Sequence, residues 1–427
     1  MSKPIRSYPL PWELPGAHFI DEEEIEAVNK VLRAKSLFRF YGDDLQNMVT
    51  HLEENFRRMV GRERALAVSS GTTALYISLS ALGVGPGDEV LLPGYLWVSC
   101  ASAIVRTGAI PRLVDIDETF CMSAEDLEKK INSRSKVILY IHMSGAMGNI
   151  DKIMQIAQKN NLKVLEDCAQ AVGATLHGKA AGAFGDIAIY SFQLNKNMTS
   201  GEGGMIVCDN EELYQRCFAI HDLGYARNEK GRLDSSNSDI YLWGVGARMS
   251  ELTGAVAWVQ LKKLPRIVGA MHDSKYRIKE KIQHLAGFTF RQVPDPDGDS
   301  GAFLIITLPD EDTCRYYVKR LIEEGITGPA GSVATVVLGD VNFYWYYNTP
   351  SLVHKSSNSA DGFPWTHPLN TFAKELSYSK GSLPNCDDLA HRSLKLAIAS
   401  NLTPQDEEDI VNAFLKIHAE RNEYEQP

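Results

Sequence analysis

The sequence has few features that would tie it to a membrane or to a disulfide-stabilised scaffold. Its seven cysteines are odd in number and contain no CxxC pair, so neither a disulfide framework nor a zinc site is indicated. No apolar run approaches the ~20 residues of a membrane helix, and the opening MSKPIRSYPLPWELPG lacks the apolar core of a secretion signal. We therefore expect no membrane partner and a cytoplasmic protein in a reducing compartment.

Positive charge is also scarce. The formal net charge of −10 would repel a phosphate backbone, so we expect no nucleic-acid partner, although a small anion could still be bound locally. The eleven histidines show no metal-ligand spacing with cysteines or acids, so we expect no metal. A composition of 44% hydrophobic and 23% charged residues is typical of a globular protein with a sizeable core.

Short apolar runs that alternate with amphipathic stretches dominate the first half of the chain. The predicted strands are ALAVS (65–69), EVLLP (89–93), PRLVDI (111–116), KVILYIH (136–142), KVLED (163–167), DIAIYS (186–191) and GMIVC (204–208). Most are continuous Val, Ile and Leu runs, as in strands buried on both faces. With the predicted helices between them (72–83, 123–133 and 149–161), they indicate a three-layer αβα domain with a mostly parallel seven-stranded sheet.

The carboxy-terminal third has a different pattern. One predicted strand, 302–309, is mixed with helices, which indicates a small α+β domain. We therefore predict an amino-terminal arm and large domain over 1–285 and a small domain over 286–427. The loop 342–370 is long for a simple connection and too aromatic to be disordered. We interpret it as a substrate loop.

Two groups of residues directly follow predicted strands, where open α/β sheets bind their ligands. Gly71 and Thr72 open a predicted helix, and free N–H groups at such an end favour an anion such as phosphate, although a plain helix cap is the alternative. Trp97 lies in the loop after the second strand, where its ring could pack in a core or stack on a flat heterocycle.

A second set follows the fifth and sixth strands. Asp167 ends an apolar run, where a carboxylate needs a partner, either a salt bridge or a protonated ring nitrogen; Gln170 follows three residues later. Ser191 ends the next strand, and Lys196 precedes a glycine run. A phosphate cradle, a stacking ring, a carboxylate for a pyridine nitrogen and a lysine for an aldehyde together predict pyridoxal 5'-phosphate as the cofactor.

The motifs SGTTAL (70–75), HMSGAMG (142–148), EDCAQA (166–171), SFQLNKNMTSGEGG (191–204) and GVGARMSE (244–251) resemble those of the DegT/DnrJ/EryC1/StrS family of sugar aminotransferases. The resemblance implies the fold-type I aminotransferase architecture and a homodimer with its active sites at the subunit interface. Lys196 resembles the Schiff-base lysine and Asp167 the partner of the pyridine nitrogen, the two residues expected to be catalytic.

The resemblance also assigns the other contacts of the cofactor. It implies that Gln170 lies over the ring or near its O3', that Trp97 stacks on the ring, and that Gly71, Thr72 and Ser191 contact the phosphate. Two positions depart from the family pattern. Gln193 stands where a histidine is frequent, and Gly246 stands where the family has an asparagine that reaches the partner subunit's cofactor phosphate. Arg248 matches the pattern and is equally compatible with a structural and a catalytic role.

The function implied is transfer of an amino group from an amino acid, glutamate by expectation, to a keto or aldehyde carbon of a sugar. A dehydratase of the same fold replaces the lysine with histidine, and a non-catalytic regulator would not need an intact site, so Lys196 favours amino transfer. The aromatics of loop 342–370, with Lys355, His354 and His367 between them, suggest one carboxylate rather than a diphosphate. Together with the SFQ motif, which is similar to that of the aminocyclitol-type branch, this pattern resembles family members that aminate a lipopolysaccharide sugar acid. The resemblance implies the C8 aldehyde of a 3-deoxy-octulosonate, in lipopolysaccharide sugar biosynthesis, as the expected acceptor. An aminocyclitol (inosose-type) or nucleotide-linked sugar is the alternative.

Overall fold

The computed structural model describes residues 3–236 and 240–424. The strands are β1 (Arg64–Val68), β2 (Glu89–Pro93), β3 (Ile110–Val114), β4 (Ser135–Ile141), β5 (Lys163–Asp167), β6 (Thr175–Leu176), β7 (Lys179–Ala180), β8 (Ile187–Ser191), β9 (Gly204–Cys208), β10 (Ala226–Arg227), β11 (Leu233–Asp234), β12 (Thr289–Phe290), β13 (Phe303–Thr307), β14 (Thr335–Val337) and β15 (Ser393–Ala397). All seven strands predicted in the first half of the chain are present.

The α-helices are α1 (Glu22–Ala34), α2 (Met48–Val60), α3 (Gly71–Ala81), α4 (Val98–Thr107), α5 (Ala124–Lys130), α6 (Ile150–Lys159), α7 (Glu211–His221), α8 (Glu251–Ile282), α9 (Glu311–Glu323), α10 (Pro350–Val353), α11 (Pro384–Arg392) and α12 (Pro404–Tyr424). Short 3-10 helices occupy Ala17–Phe19, Met143–Gly145, Pro296–Gly298, Leu338–Asp340, Tyr346–Asn348 and Pro368–Glu375. Among the described helices, none is both long and apolar enough to cross a bilayer.

Local sequence explains where several helices begin. Asp21 forms a capping box with Glu24 at the start of α1, and Ser70 forms one with Thr73 at the start of α3. Ser250 caps α8, which continues through Pro265 as a single 32-residue helix. The helical region predicted at 250–264 and the connecting helix predicted to follow it are therefore one element.

The large sheet has the strand order β1-β9-β8-β5-β4-β2-β3. Strand β9 runs antiparallel to both of its neighbours, and the other pairings are parallel. Helices α3, α4 and α7 pack on one face of the sheet, and α2, α5, α6 and the first half of α8 pack on the other. The prediction of a three-layer αβα arrangement with a mostly parallel seven-stranded sheet is confirmed.

A second, antiparallel sheet has the order β12-β13-β15-β14. Its core contains the second half of α8 together with α9 and α12. The sequence predicted only the β13 strand, because β12 and β14 have two and three residues and β15 interrupts its apolar run with a lysine. The domain boundary near residue 285 stays a prediction.

The first part of the aromatic loop 342–370 lies against the large sheet. The backbone of Tyr344 and that of Tyr346 hydrogen-bond to Leu96 and Gly94 in the loop after β2. The Trp345 ring stacks on Tyr95 with 4.3 Å between ring centroids, and Trp345 is fully buried. These aromatic side chains are therefore largely part of the core of the large sheet.

Candidate active site

The order of the strands brings distant parts of the sequence to one edge of the large sheet. Strands β5 and β8 are neighbours, and Asp167 at the end of β5 pairs with Ile189, two residues before β8 ends at Ser191. Gly204, at the start of the antiparallel strand β9, pairs with Val68 on one side and with Ser191 on the other. The start of α3, which is separated from β1 by two residues, therefore meets the end of β8.

The first turn of α3 forms an anion-binding concavity. The Ser70 side chain accepts a hydrogen bond from the Thr73 N–H, while the N–H groups of Gly71 and Thr72 have no acceptor among the described residues. A Cβ at Gly71 would lie 2.8 Å from the Cβ of Ser191, so only glycine lets the helix approach this closely. Two free N–H groups at a helix N-terminus with a hydroxyl opposite suit a phosphate.

Asp167 is a buried carboxylate beyond this concavity. Its Oδ1 accepts a hydrogen bond from the Ala169 N–H at 2.9 Å, and its Oδ2 accepts one from the Cys100 thiol at 3.2 Å. Burial raises the pKa of Asp167, whereas these hydrogen bonds and the charge of Lys196 oppose the rise. A cationic ring N–H would stabilise the carboxylate that burial disfavours.

Lys196 lies in the same cavity as Asp167. Burial lowers the pKa of Lys196, and the charge of Asp167 acts in the opposite direction. The loop that carries the lysine is fixed by its backbone, because the Lys196 N–H donates to the Gln193 carbonyl and the Lys196 carbonyl accepts from the Gly16 N–H. A lysine whose pKa is lowered more readily supplies the neutral amine that attacks an aldehyde.

Gln170 and Trp97 complete the set of predicted residues. The Gln170 Oε1 accepts a hydrogen bond from the Ser144 N–H at 3.0 Å, which fixes the orientation of the amide. Trp97 is 41% exposed, and its ring leans on Tyr344 with 4.9 Å between centroids. The Thr72 hydroxyl lies 2.9 Å from that of Ser99. A partly exposed ring beside the cavity is available for stacking on a ligand.

All seven predicted site residues line one cavity of about 520 Å³. Its size suits a cofactor-sized ligand. The phosphate concavity, the buried carboxylate and the lysine fit pyridoxal 5'-phosphate. Among the lining or supporting residues that the sequence analysis did not identify are Glu13, Ser99, Cys100 and Lys395. A lysine inside the apolar strand SLKLA is the same signal that identified Asp167, and it could have identified Lys395.

A buried cluster lies behind the cavity, where the ligand atoms of His142, Glu166 and Cys168 are within 4.8 Å of one another. The Glu166 carboxylate already accepts hydrogen bonds from the N–H groups of Gly182, Phe184 and Gly185, as well as lying 2.8 Å from His142 Nε2. These contacts indicate that Glu166 anchors the loop after β7, and they give His142 a structural partner.

Two positions of the GVGARMSE motif also have local partners. Gly246 has φ of +65°, in the left-handed region, and its N–H donates to the Asp222 carbonyl. Arg248 donates to the Asp222 carboxylate at 2.6 Å, and Arg227 donates to the other oxygen at 2.6 Å. Within the described chain, Arg248 therefore has a structural role as an ion-pair partner.

Comparison with known proteins identifies the family. Residues 18–330 match the DegT/DnrJ/EryC1/StrS aminotransferase family. The chain is similar to the spore coat polysaccharide biosynthesis protein SpsC of Bacillus subtilis (strain 168), with 30% identity over 96% of this chain and 98% of that protein. It is 35% identical to the GDP-perosamine synthase of Escherichia coli O157:H7, over 56% of this chain and 64% of that enzyme.

A solved structure gives the same fold. The putative sugar aminotransferase Spr1654 from Streptococcus pneumoniae, in its PMP form, superposes with a TM-score of 0.77 at 22% identity, over 98% of this chain and 99% of that one. The fold-type I architecture implied by the sequence motifs is therefore confirmed. The chain belongs to the DegT/DnrJ/EryC1/StrS aminotransferase family and is a pyridoxal-phosphate-dependent sugar aminotransferase.

Proposed function

We propose that Lys196 binds the cofactor and is the base of amino transfer. When bound, pyridoxal phosphate supplies an aldehyde for the amino group and a ring that withdraws electrons from the substrate carbon. In this proposal the Lys196 Nζ, once free, moves the proton at the substrate carbon. Asp167 keeps the ring nitrogen protonated. The burial of its carboxylate and its place in the lining of the cavity support this role.

The remaining predicted residues position the cofactor. Gly71, Thr72 and Ser191 hold the phosphate at the N-terminus of α3, Trp97 stacks on the ring, and Gln170 contacts the ring or its O3' oxygen. The observation that carries this proposal is that all of these side chains or backbone groups line the same cavity as Lys196.

The lysine can be tested by its spectrum. We expect the purified protein to be yellow, with an absorbance band that borohydride abolishes. Lys196→Ala should remain folded but lose both the covalent bond to the cofactor and amino transfer, because the side chain leaves a partly exposed loop position. Lys319→Ala, at an exposed lysine on α9 that does not line the cavity, is the matched control. Wild-type turnover by Lys196→Ala would show that another residue is the base.

For the acceptor, we infer a sugar acid, with the C8 aldehyde of a 3-deoxy-octulosonate as the specific proposal and glutamate as the donor. The charge of the cavity supports it. Among the described residues, the lining has two lysines, Lys196 and Lys395, three acids, Glu13, Asp167 and Glu202, and no arginine or histidine. A single carboxylate needs one cation, whereas a diphosphate needs several charge-assisted hydrogen bonds.

The cations of the aromatic loop 342–370 do not provide the site for this carboxylate. Lys355 Nζ donates to the Ala373 carbonyl at 2.7 Å, His367 accepts from the Leu369 N–H, and neither side chain lines the cavity. Of the loop residues, Tyr344 alone reaches the lining within the part of the chain that the structure describes.

A nucleotide-linked sugar is the second candidate, because the chain is similar to GDP-perosamine synthases by sequence. A steady-state comparison decides between them. With glutamate as donor, kcat/KM is measured for the 8-oxo octulosonate, a keto-inositol and a nucleotide-linked 4-keto sugar. We expect the octulosonate to be preferred. A clear preference for the nucleotide-linked sugar would overturn the sugar-acid proposal and leave the cofactor chemistry in place.

We also propose that the enzyme is a homodimer. The segment 223–245 carries exposed apolar side chains in its described parts: Leu223, Tyr225, Tyr241, Trp243 and Val245. Trp243 is 94% exposed, which is rare for an indole ring unless another surface covers it. A second copy of the chain is the occupant that the family resemblance implies, and this placement supports Gly246 lying near the partner's cofactor.

A further inference from the structure

Lys395 is a buried lysine on the opposite wall of the cavity from the large sheet. It lies in the middle of β15, where its backbone pairs with Ile305 of β13 and Val336 of β14. Its neighbours Leu394 and Leu396 point into the core of the small sheet. Because side chains alternate along a strand, Lys395 points to the other face, which lines the cavity.

The ammonium group of Lys395 has no hydrogen-bond acceptor and no ion pair among the described residues, although the residue is only 8% exposed. Its Nζ lies over the Phe303 ring, 5.0 Å from the ring centroid. A lysine this buried is almost always paired, because removing an unpaired ammonium from water is costly.

Glu13 is the acid that would be expected to pair with it, but its carboxylate is already engaged. One oxygen accepts from the Ser332 hydroxyl at 2.7 Å, and the other accepts from the Val333 N–H at 2.8 Å. These contacts fix the amino-terminal arm to the loop before β14. Glu13 therefore acts on Lys395 only through its charge, which opposes the lowering of the Lys395 pKa to about 8 by burial.

The charges that remain define what Lys395 can bind. Lys196 and Lys395 are the two cations of the described lining, and the cofactor uses Lys196 in the proposed function. An anionic substrate would meet Glu13 and Glu202 in the same cavity, so it needs a cation to offset their repulsion. A compact ammonium with three donors suits one carboxylate.

We propose that the Lys395 Nζ binds a carboxylate of the substrate and thereby orients the substrate's reacting carbon toward Lys196. The inference deepens the proposed function and rests on it for the acceptor. The carboxylate can come from either substrate of the reaction, the amino-acid donor or the sugar acid, because the two occupy the cavity in turn. The chemistry of recognition is the same for both.

The test separates the two half-reactions in the holoenzyme by following the absorbance of the cofactor. The donor half is measured with glutamate and with maleate, which carries carboxylates but no amino group. The acceptor half is measured with the 8-oxo octulosonate and with its methyl ester. The variants are Lys395→Met, Lys395→Arg and, as a matched control, Lys319→Met, an exposed lysine on α9 of the small domain.

We expect Lys395→Met to raise the half-saturating concentration of the carboxylate ligand about tenfold or more in one half-reaction, as the loss of a charge-assisted hydrogen bond requires. The maximal rate should change much less, Lys395→Arg should recover most of the affinity, and Lys319→Met should behave as wild type. A loss of affinity for glutamate and maleate would show that Lys395 binds the carboxylate of the donor. A loss for the octulosonate but not for its ester assigns the acceptor carboxylate.

The proposal is overturned if Lys395→Met changes affinity less than about twofold in both halves, or if the acid and its ester lose affinity equally while the donor half is unchanged. A wild-type enzyme that does not turn over the octulosonate would refute the proposed acceptor. In that case the donor half-reaction alone decides the role of Lys395, so the two failures are distinguishable.

Discussion

At the scale of single residues, the site is governed by two charges held away from water. Asp167 and Lys395 are both almost fully buried, at 4% and 8% exposure. Asp167 receives hydrogen bonds from Ala169 and Cys100, whereas Lys395 has no partner among the described residues. Burial raises the pKa of the acid and lowers that of the lysine, so each ionised form gains from a ligand of opposite charge.

Asp167→Asn tests the first of these charges. An amide cannot hold a ring nitrogen as a cation, so we expect a folded protein that binds the cofactor but loses most of its activity, about 100-fold or more in kcat. Cys100→Ala removes one hydrogen bond to the carboxylate but keeps the carboxylate itself, so it should lose much less activity than Asp167→Asn. Full activity in Asp167→Asn would refute the role of the carboxylate.

Lys395→Met should stabilise the protein near neutral pH. The pKa of Lys395 falls from 10.5 to about 8 on folding, so the unfolded chain binds the proton more tightly. The free-energy cost of burying the charged lysine is fully present below pH 8 and disappears as the pH rises toward 10.5. At 1.36 kcal/mol per pKa unit, the ceiling is about 3 kcal/mol. Urea unfolding at pH 7 and pH 10 should show the advantage of the variant shrinking at the higher pH; an advantage independent of pH would contradict this origin.

At the scale of elements, the first turn of α3 is the most constrained part of the site. Its approach to β8 depends on the absence of a side chain at Gly71, where a Cβ would lie 2.8 Å from that of Ser191. In the same turn, Ser70 caps the N–H of Thr73, whereas the N–H groups of Gly71 and Thr72 are free to bind an anion. The packing of α3 against β8 and the binding of a phosphate therefore both require glycine at position 71.

Gly71→Ala should weaken cofactor binding by about tenfold or more, because α3 or the end of β8 must shift to admit the methyl group. Affinity can be measured by titrating the apoenzyme with pyridoxal phosphate. Gly269→Ala in α8 is the matched control: its Cβ meets nothing within 4 Å, and alanine should stabilise the helix by up to about 1 kcal/mol. Unchanged affinity in Gly71→Ala would argue against a phosphate at this turn.

At the scale of the whole molecule, the exposed apolar side chains of segment 223–245 lie on a chain whose seven-stranded and four-stranded sheets already have buried cores. Tyr225 and Tyr241 pack edge to face at 6.1 Å between centroids, and Trp243 extends beyond them into solvent. The motif GVGARMSE begins at the end of this segment, so an interface here would place Gly246 at the junction of two subunits.

Trp243→Ser should shift the enzyme from dimer to monomer and lower its activity, because a buried indole contributes several kcal/mol to an interface. Sedimentation equilibrium measures the association, and Ile322→Ser, at another exposed apolar position on α9, is the control. A wild-type protein that sediments as an active monomer would refute the homodimer.

The sequence by itself determined the elements of the large sheet and the residues at their ends. Val, Ile and Leu runs bounded by helical stretches are local signals, and so is a carboxylate such as Asp167 at the end of an apolar strand. The motif around Lys196 is also a local signal, because its residues are contiguous in the sequence. The sequence therefore sufficed to indicate the family.

Only the tertiary structure decided which segments meet. Strand β9 inserts between β1 and β8, which brings Gly71 to Ser191, and no local pattern encodes that order. The aromatic loop was assigned to the substrate by its composition, but burial of Trp345 and Tyr346 against the large sheet depends on contacts with residues about 250 positions away. Lys395 and Glu13 reach the cavity from opposite ends of the chain, because long-range packing, rather than local periodicity, fixes what faces a cavity.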